Sequence, residues 1–139
     1  MTNEDVLLVQ LTWQKVLPIR DAVAELFYLK LFELDPGLQP LFTVDLEHQG
    51  AKLVQMITAA VRALDRLDVL RPVVRDLGMR HLADGIGDEH YGTVATAWLW
   101  TLEQTLRGEF TAEVKSAWIK AYGVLSQTMR EAGSSPQAA

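Results

Sequence analysis

The stretch Leu46-Glu47-His48-Gln49-Gly50-Ala51-Lys52-Leu53-Val54-Gln55-Met56-Ile57-Thr58-Ala59-Ala60 decides how this chain is read. Steps of three and four residues from Leu46 pass through Gln49, Leu53, Met56, Ile57 and Ala60, which therefore share one side of a helix with 3.6 residues per turn. The pattern predicts a long helix from about Leu46 to Leu64. Gln49 is the one polar residue on that face.

The same periodicity extends outward in both directions, whereas strand alternation and tight hairpin signals flanked by β-branched runs are lacking. Upstream, a helix is expected from about Glu4 to Leu17, capped by Asn3, with Val6, Leu7, Val9, Trp13, Val16 and Leu17 as its apolar surface. A second is expected to start at Pro18, because Pro suits a first helical turn, and to end at the Asp35-Pro36-Gly37 breaker. A short helical turn then reaches Phe42. Downstream, the pattern predicts a helix from Leu70 to Leu82 entered through Pro72. The stretch Gly85-Ile86-Gly87 separates it from a long helix over Asp88 to Arg107. A last helix runs from a Thr111 cap to about Arg130, with Trp118, Tyr122 and Leu125 inward. The fold class is all-α, with about seven helical segments. Residues 1–132 are expected to form one domain and 133–139 a disordered tail.

The chain has 139 residues, 49% hydrophobic and 22% charged, a globular mixture long enough to bury a core. Its net charge is −5, and no segment gathers Lys and Arg as phosphate binding requires, which argues against nucleic acid. With no Cys there is no disulfide, thiolate nucleophile or Cys-ligated metal, so any metal must be held through His or carboxylates. No apolar run approaches the ~20 residues of a membrane span, and the acidic N-terminus lacks a basic leader. A cytoplasmic location is expected.

Three polar residues stand on otherwise apolar helical segments: Tyr28, Gln49 and His81. Together they have the composition of a haem pocket. His81, four residues after Leu77, is the candidate iron ligand, since an oxygen-binding haem needs one neutral imidazole on one face and an open position on the other. A buried Gln49 must find a partner, and its amide can donate to a diatomic ligand. The Tyr28 phenol can do the same. Each has a bland reading when taken singly: a histidine at a helix end, a wet glutamine at the rim of its face, and a core tyrosine bonded to a backbone carbonyl.

The segments Phe27-Tyr28 with Leu31-Phe32, Pro36, Leu41-Phe42, Gln49 with Leu53, Arg80-His81, His90-Tyr91 and Ala117-Trp118 through Ala121-Tyr122-Gly123-Val124-Leu125 resemble the globin domain of the flavohaemoglobin lineage, including its single-domain (Vitreoscilla-type) bacterial haemoglobins. The resemblance spans about residues 4–130. It implies a globin fold around one haem b (iron protoporphyrin IX), with His81 as proximal ligand, Gln49 and Tyr28 on the distal side, Leu53 above the iron and Phe42 wedged against the ring. Ile57 would line the pocket. From the residues themselves, a backbone carbonyl near Leu77, one turn before His81, could hold the second imidazole nitrogen, and Lys52 and Arg80, adjacent to the pocket residues, are either propionate partners or plain solvated side chains. Tyr91 would hydrogen-bond the proximal imidazole together with a Glu of the last helix. An ungapped count places that Glu on Gly133, and the nearest carboxylate is Glu131. The loop between Phe42 and Gln49 looks shorter than in many relatives.

The function so implied is tight, reversible oxygen binding, with nitric oxide and carbon monoxide as further ligands. Nitric oxide dioxygenase activity is implied where a separate reductase supplies electrons, because the flavin and nicotinamide portions of flavohaemoglobins have no counterpart in these residues. A monomer or homodimer is expected. Two competing readings stay open: a six-coordinate haem redox or gas-sensor globin, in which His48 or Gln49 closes the sixth position, and a globin-shaped interaction module without haem.

Overall fold

The computed structural model describes residues 1–41, 45–83 and 90–134, apart from the side chains of residues 41, 78, 80–83 and 130–134. Among the described residues are six α-helices and no strand: α1 (Asn3–Val16), α2 (Arg20–Leu34), α3 (Leu46–Arg62), α4 (Leu67–Ala83), α5 (Tyr91–Leu106) and α6 (Ala112–Ser134). The all-α reading holds. The short helical turn expected after α2 is present as a 3₁₀ helix, Pro36–Leu41, as suits Pro36 and Pro40, which lack the N–H that a continued α-helix uses.

Helix ends depart from expectation where local hydrogen bonds overrule propensity. Thr2, not Asn3, caps α1: its hydroxyl accepts the Asp5 N–H at 3.1 Å, and the Asp5 carboxylate accepts the Thr2 N–H at 2.9 Å. That reciprocal pair needs an acid three residues on, which Asn3 does not have. Pro18 lies in a 3₁₀ turn, Leu17–Ile19, closed by the Arg20 N–H on the Leu17 carbonyl, so α2 starts at Arg20. The start of α4 precedes Leu70 because the N–H groups of Val69 and Leu70 both reach the Arg66 carbonyl at 3.1 Å. Pro72 is therefore inside the helix, where it costs one backbone bond. Asp45 caps α3 through the Glu47 N–H at 3.1 Å. The expected Thr111 cap of α6 is present, accepting the Val114 N–H at 3.2 Å. Helix α6 continues past Arg130 to Ser134, so Gly133 and Ser134 are helical. The Gly85-Ile86-Gly87 breaker and the expected start at Asp88 lie outside the described residues.

Helix α1 packs on α6, α2 on α5 and α3, and α4 on α6. The main core draws Val9 and Trp13 from α1, Val23, Phe27 and Leu31 from α2, Val54 from α3, Trp98 and Leu102 from α5, and Ala117 and Trp118 from α6. Two indole N–H groups bolt it together: Trp13 donates to the Thr58 hydroxyl at 3.0 Å and Trp118 to the Thr12 hydroxyl at 2.9 Å. Leu46 and Leu7, both expected to face inward, are 40% and 53% exposed. A smaller cluster of Ala60, Leu70 and Val74, backed by Leu125 and Met129, joins the end of α3 to the start of α4. None of the helices, among the described residues, is long and apolar enough to cross a membrane.

Candidate functional site

Helices α2 and α3 cross where both carry a small residue. A Cβ built on Gly50 would stand 2.9 Å from the Ala24 Cβ, closer than real side chains approach. Only glycine permits this separation. Ala24 lies one helical turn before Tyr28, and Gly50 follows Gln49, so the crossing sets the two polar side chains against each other.

Tyr28 is 5% exposed. Its ring meets Phe27 edge-on at 5.2 Å between centroids and stacks on Phe32 at 5.9 Å. Burial disfavours the phenolate, while a hydrogen bond from the Gln49 side chain to the phenol oxygen favours it; burial dominates, and the pKa is pushed up to about 12. Gln49 itself is half-buried, neither solvated at a rim nor sealed into the core. The buried Tyr28 phenol and the half-buried Gln49 amide therefore form one polar pair.

Leu53, Met56 and Ile57 continue the Gln49 face along α3, and all three are half-buried. Leu53 and Ile57 rest against the main core. Beyond the Ala60–Leu70 junction, α3 packs on α1 and α2 while α4 packs on α6, so the two helices part. Gln49 lies eleven residues before Ala60, and His81 eleven residues after Leu70. At about 1.5 Å per residue, each is ~16 Å along its helix from the junction. Arg80 and His81 lie in the last turn of α4. Leu77, one turn earlier on α4, is half-buried.

The remaining candidates divide by position. Lys52 is exposed, as a side chain at a pocket mouth must be, and His48 is also exposed, on a different side of α3 from Gln49. Tyr91 is 7% exposed, and its carbonyl accepts the Tyr122 hydroxyl at 2.7 Å. That bond fixes the start of α5 against α6; sequence reasoning placed Tyr122 inward without giving it this role. It also passed over Gly50, whose signal was a glycine inside an apolar helix next to the one polar face residue. Phe42 lies outside the described residues, as do the side chains of Arg80, His81 and Glu131.

Haem fits this arrangement in three respects. A flat apolar group needs apolar walls that the protein does not itself cover, and the half-buried α3 face supplies one. A polar diatomic ligand needs a donor in a dry place, and the buried Tyr28 phenol has the chemistry for it. A single imidazole would suffice to hold a haem iron, and His81 lies in the last turn of α4.

Residues 25–129 match the family model described as Globin. Among curated proteins, the chain is 26% identical to a neuroglobin of Danio rerio over 93% of its own length and 90% of that protein. It is 29% identical to an anaerobic nitrite reductase of Oryza sativa subsp. indica, covering 89% and 90%. A flavohemoprotein of Xylella fastidiosa is 32% identical over 78% of this chain, which spans only 28% of that protein. These matches spread over several lineages and do not single out the single-domain bacterial one. Among solved structures, an engineered carbene transferase of Rhodothermus marinus superposes with a TM-score of 0.88 at 22% identity, covering 99% of this chain and 96% of that one. A hexacoordinated heme protein from a tardigrade gives 0.85 at 17% identity, covering 95% and 94%. Helix order, the α2–α3 crossing and the family match over three quarters of the residues agree: the chain belongs to the globin family.

Proposed function

We propose that this globin holds one haem b between α3 and α4, with His81 as the axial ligand, and binds dioxygen there reversibly and tightly. The observation that carries the reading is the pairing of the buried Tyr28 phenol with the half-buried Gln49 amide, polar side chains of two helices brought together over an apolar face. Haem supplies the redox-active iron on which diatomic gases bind. Leu53, Ile57, Leu77 and Phe42 would enclose it, Lys52 and Arg80 would meet its carboxylates, and Tyr91 would orient the imidazole.

The protein's own contribution is a preset donor. With its pKa near 12, Tyr28 keeps its proton throughout the physiological range. The Gln49 amide donating to the phenol oxygen polarises the O–H further, so the two bonds reinforce each other. Apolar surroundings keep water from competing for that donor, which slows release of a polar ligand. His48, exposed on another side of α3, would need the helix to turn by roughly 100° before it reached the same pocket. That position of His48 supports an open sixth position, and closure by Gln49 would forfeit its bond to the Tyr28 phenol.

Nitric oxide dioxygenation, in the manner of the flavohaemoglobin lineage, is a second activity open to this site. Nitric oxide, dioxygen and one electron give nitrate, and the electron comes from a reductase. Optical spectra of the purified protein in ferric, reduced, and reduced-plus-oxygen or carbon monoxide states test the reading. A five-coordinate ferrous spectrum that shifts with gas is the expected result. A six-coordinate ferrous spectrum would transfer the assignment to a redox or sensor globin, and absence of any haem band after reconstitution would end it. Nitrate formation with an added reductase tests the second activity.

A further inference from the structure

Leu67 and Arg71, four residues apart at the start of α4, share one side of that helix, as Val124, Gln127 and Thr128 do on α6. Between the two sides lies a cavity of about 420 Å³ lined by these five residues. That is the size of a site for a small organic molecule. It is separate from the α3–α4 cleft. No residue of the candidate haem site lines it, and Arg71 precedes His81 by ten residues, about 15 Å along the helix.

The lining divides by chemistry. Leu67 and Val124 are half-buried and give an apolar wall from each helix. Arg71 is exposed, and among the described residues no carboxylate pairs with it, not even Asp68 three residues earlier on the same helix. A guanidinium in that state presents a fork of N–H donors whose natural match is one carboxylate, held bidentately. The Gln127 amide, also exposed, adds a neutral donor at the mouth. Thr128 differs from both, because it is only 6% exposed and its hydroxyl donates to the Val124 carbonyl at 2.9 Å. With that proton committed, the Thr128 oxygen has only lone pairs to offer, so it asks for a donor on whatever fills the cavity.

We propose that this cavity is a binding site for a small hydroxycarboxylate with an apolar body. Its carboxylate pairs with Arg71 beside the Gln127 amide, its body lies between Leu67 and Val124, and its hydroxyl donates to Thr128. One guanidinium matches one negative charge, which selects a monocarboxylate over a polyanion. The apolar walls select against a fully hydrated anion, whose water they would strip without return.

The test is isothermal titration calorimetry of the protein with 4-hydroxybenzoate, which carries all three features, and with benzoate, which lacks the hydroxyl. Saturable one-to-one binding of 4-hydroxybenzoate is expected, with benzoate about tenfold weaker. Arg71→Gln, at an exposed position, should weaken both by about tenfold or more, since the carboxylate loses its charged partner. Thr128→Val should bring 4-hydroxybenzoate down to the level of benzoate and leave benzoate where it was. Should that buried substitution unsettle the fold, 4-fluorobenzoate asks the same of the unaltered protein and should bind no better than benzoate. Any haem band should keep its position throughout. No saturable heat with 4-hydroxybenzoate, or binding indifferent to Arg71→Gln, would overturn the site. Equal affinity for benzoate would overturn the role of Thr128 and with it the ligand class, and a haem band that moves with the same midpoint would place the ligand in the α3–α4 cleft instead.

Discussion

Gly50 of α3 lies so close to Ala24 of α2 that a side chain on it would reach to 2.9 Å of the Ala24 Cβ. The contact sits one turn from Tyr28 and next to Gln49, so the spacing of two small residues sets the distance between two functional ones. Gly50→Ala forces the helices apart, and the strain of an overpacked contact outweighs the better helix propensity of alanine. The expected loss is about 1–3 kcal/mol in denaturant unfolding, with faster ligand dissociation. Adding Ala24→Gly should restore most of both. Faster dissociation that the second change does not repair would show that the crossing does not position the pair.

Tyr28→Phe keeps the ring against Phe27 and Phe32 and removes only the hydroxyl. A donor worth about 1–2 kcal/mol to a polar ligand is lost, so oxygen should leave roughly tenfold faster. Carbon monoxide, a poorer acceptor, should respond less. Stopped-flow dissociation rates for the two gases decide the matter, and equal, unchanged rates would remove Tyr28 from the site.

The raised phenol pKa also makes a statement about stability. Tyr28 ionises at about 10 in the unfolded chain and at about 12 in the fold, so above pH 10 the unfolded state sheds a proton that the native state keeps. Stability from this group is fully present below about pH 10 and is lost as pH rises toward 12, by an amount on the order of 2–3 kcal/mol. Urea unfolding across that window should show a steeper fall for the wild type than for Tyr28→Phe. Parallel curves would mean that the phenol is not buried as described.

How much of this was legible in the sequence depended on whether the signal was local. The α3 helix and the anomaly of Gln49 on its face follow from periodicity alone, because a helix places residues three and four apart on one side whatever surrounds it. The partnership of Gln49 with Tyr28 does not, since it depends on Ala24 and Gly50, small residues on two helices that no within-helix pattern connects. Helix ends failed for a related reason. Asn3 and Pro72 have the right propensities for a helix start, yet the reciprocal Thr2–Asp5 bonds and the turn at Arg66 settle those ends from outside. The contacts among Trp13, Trp98 and Trp118 were not legible either, since they join three helices that no within-helix pattern connects.

Arg107, which ends α5, has φ 50° and ψ −116°, and it is the one non-glycine residue with positive φ among the described residues. A side chain in that conformation crowds its own backbone, at a cost of about 1–3 kcal/mol. Glycine would relieve the crowding but enters the fold from a freer unfolded chain, which returns part of the gain. Arg107→Gly should therefore raise stability by about 1 kcal/mol, read as a higher denaturation midpoint with an unchanged slope. Arg107→Ala is the necessary comparison, because it removes the exposed guanidinium and keeps the strain. If alanine stabilises as much as glycine, the arginine side chain rather than the backbone is the source. If neither does, the positive φ is tolerated without cost. In either variant the gas dissociation rates should stay at their wild-type values, since Arg107 belongs to the turn into α6 and not to the α2–α3 crossing.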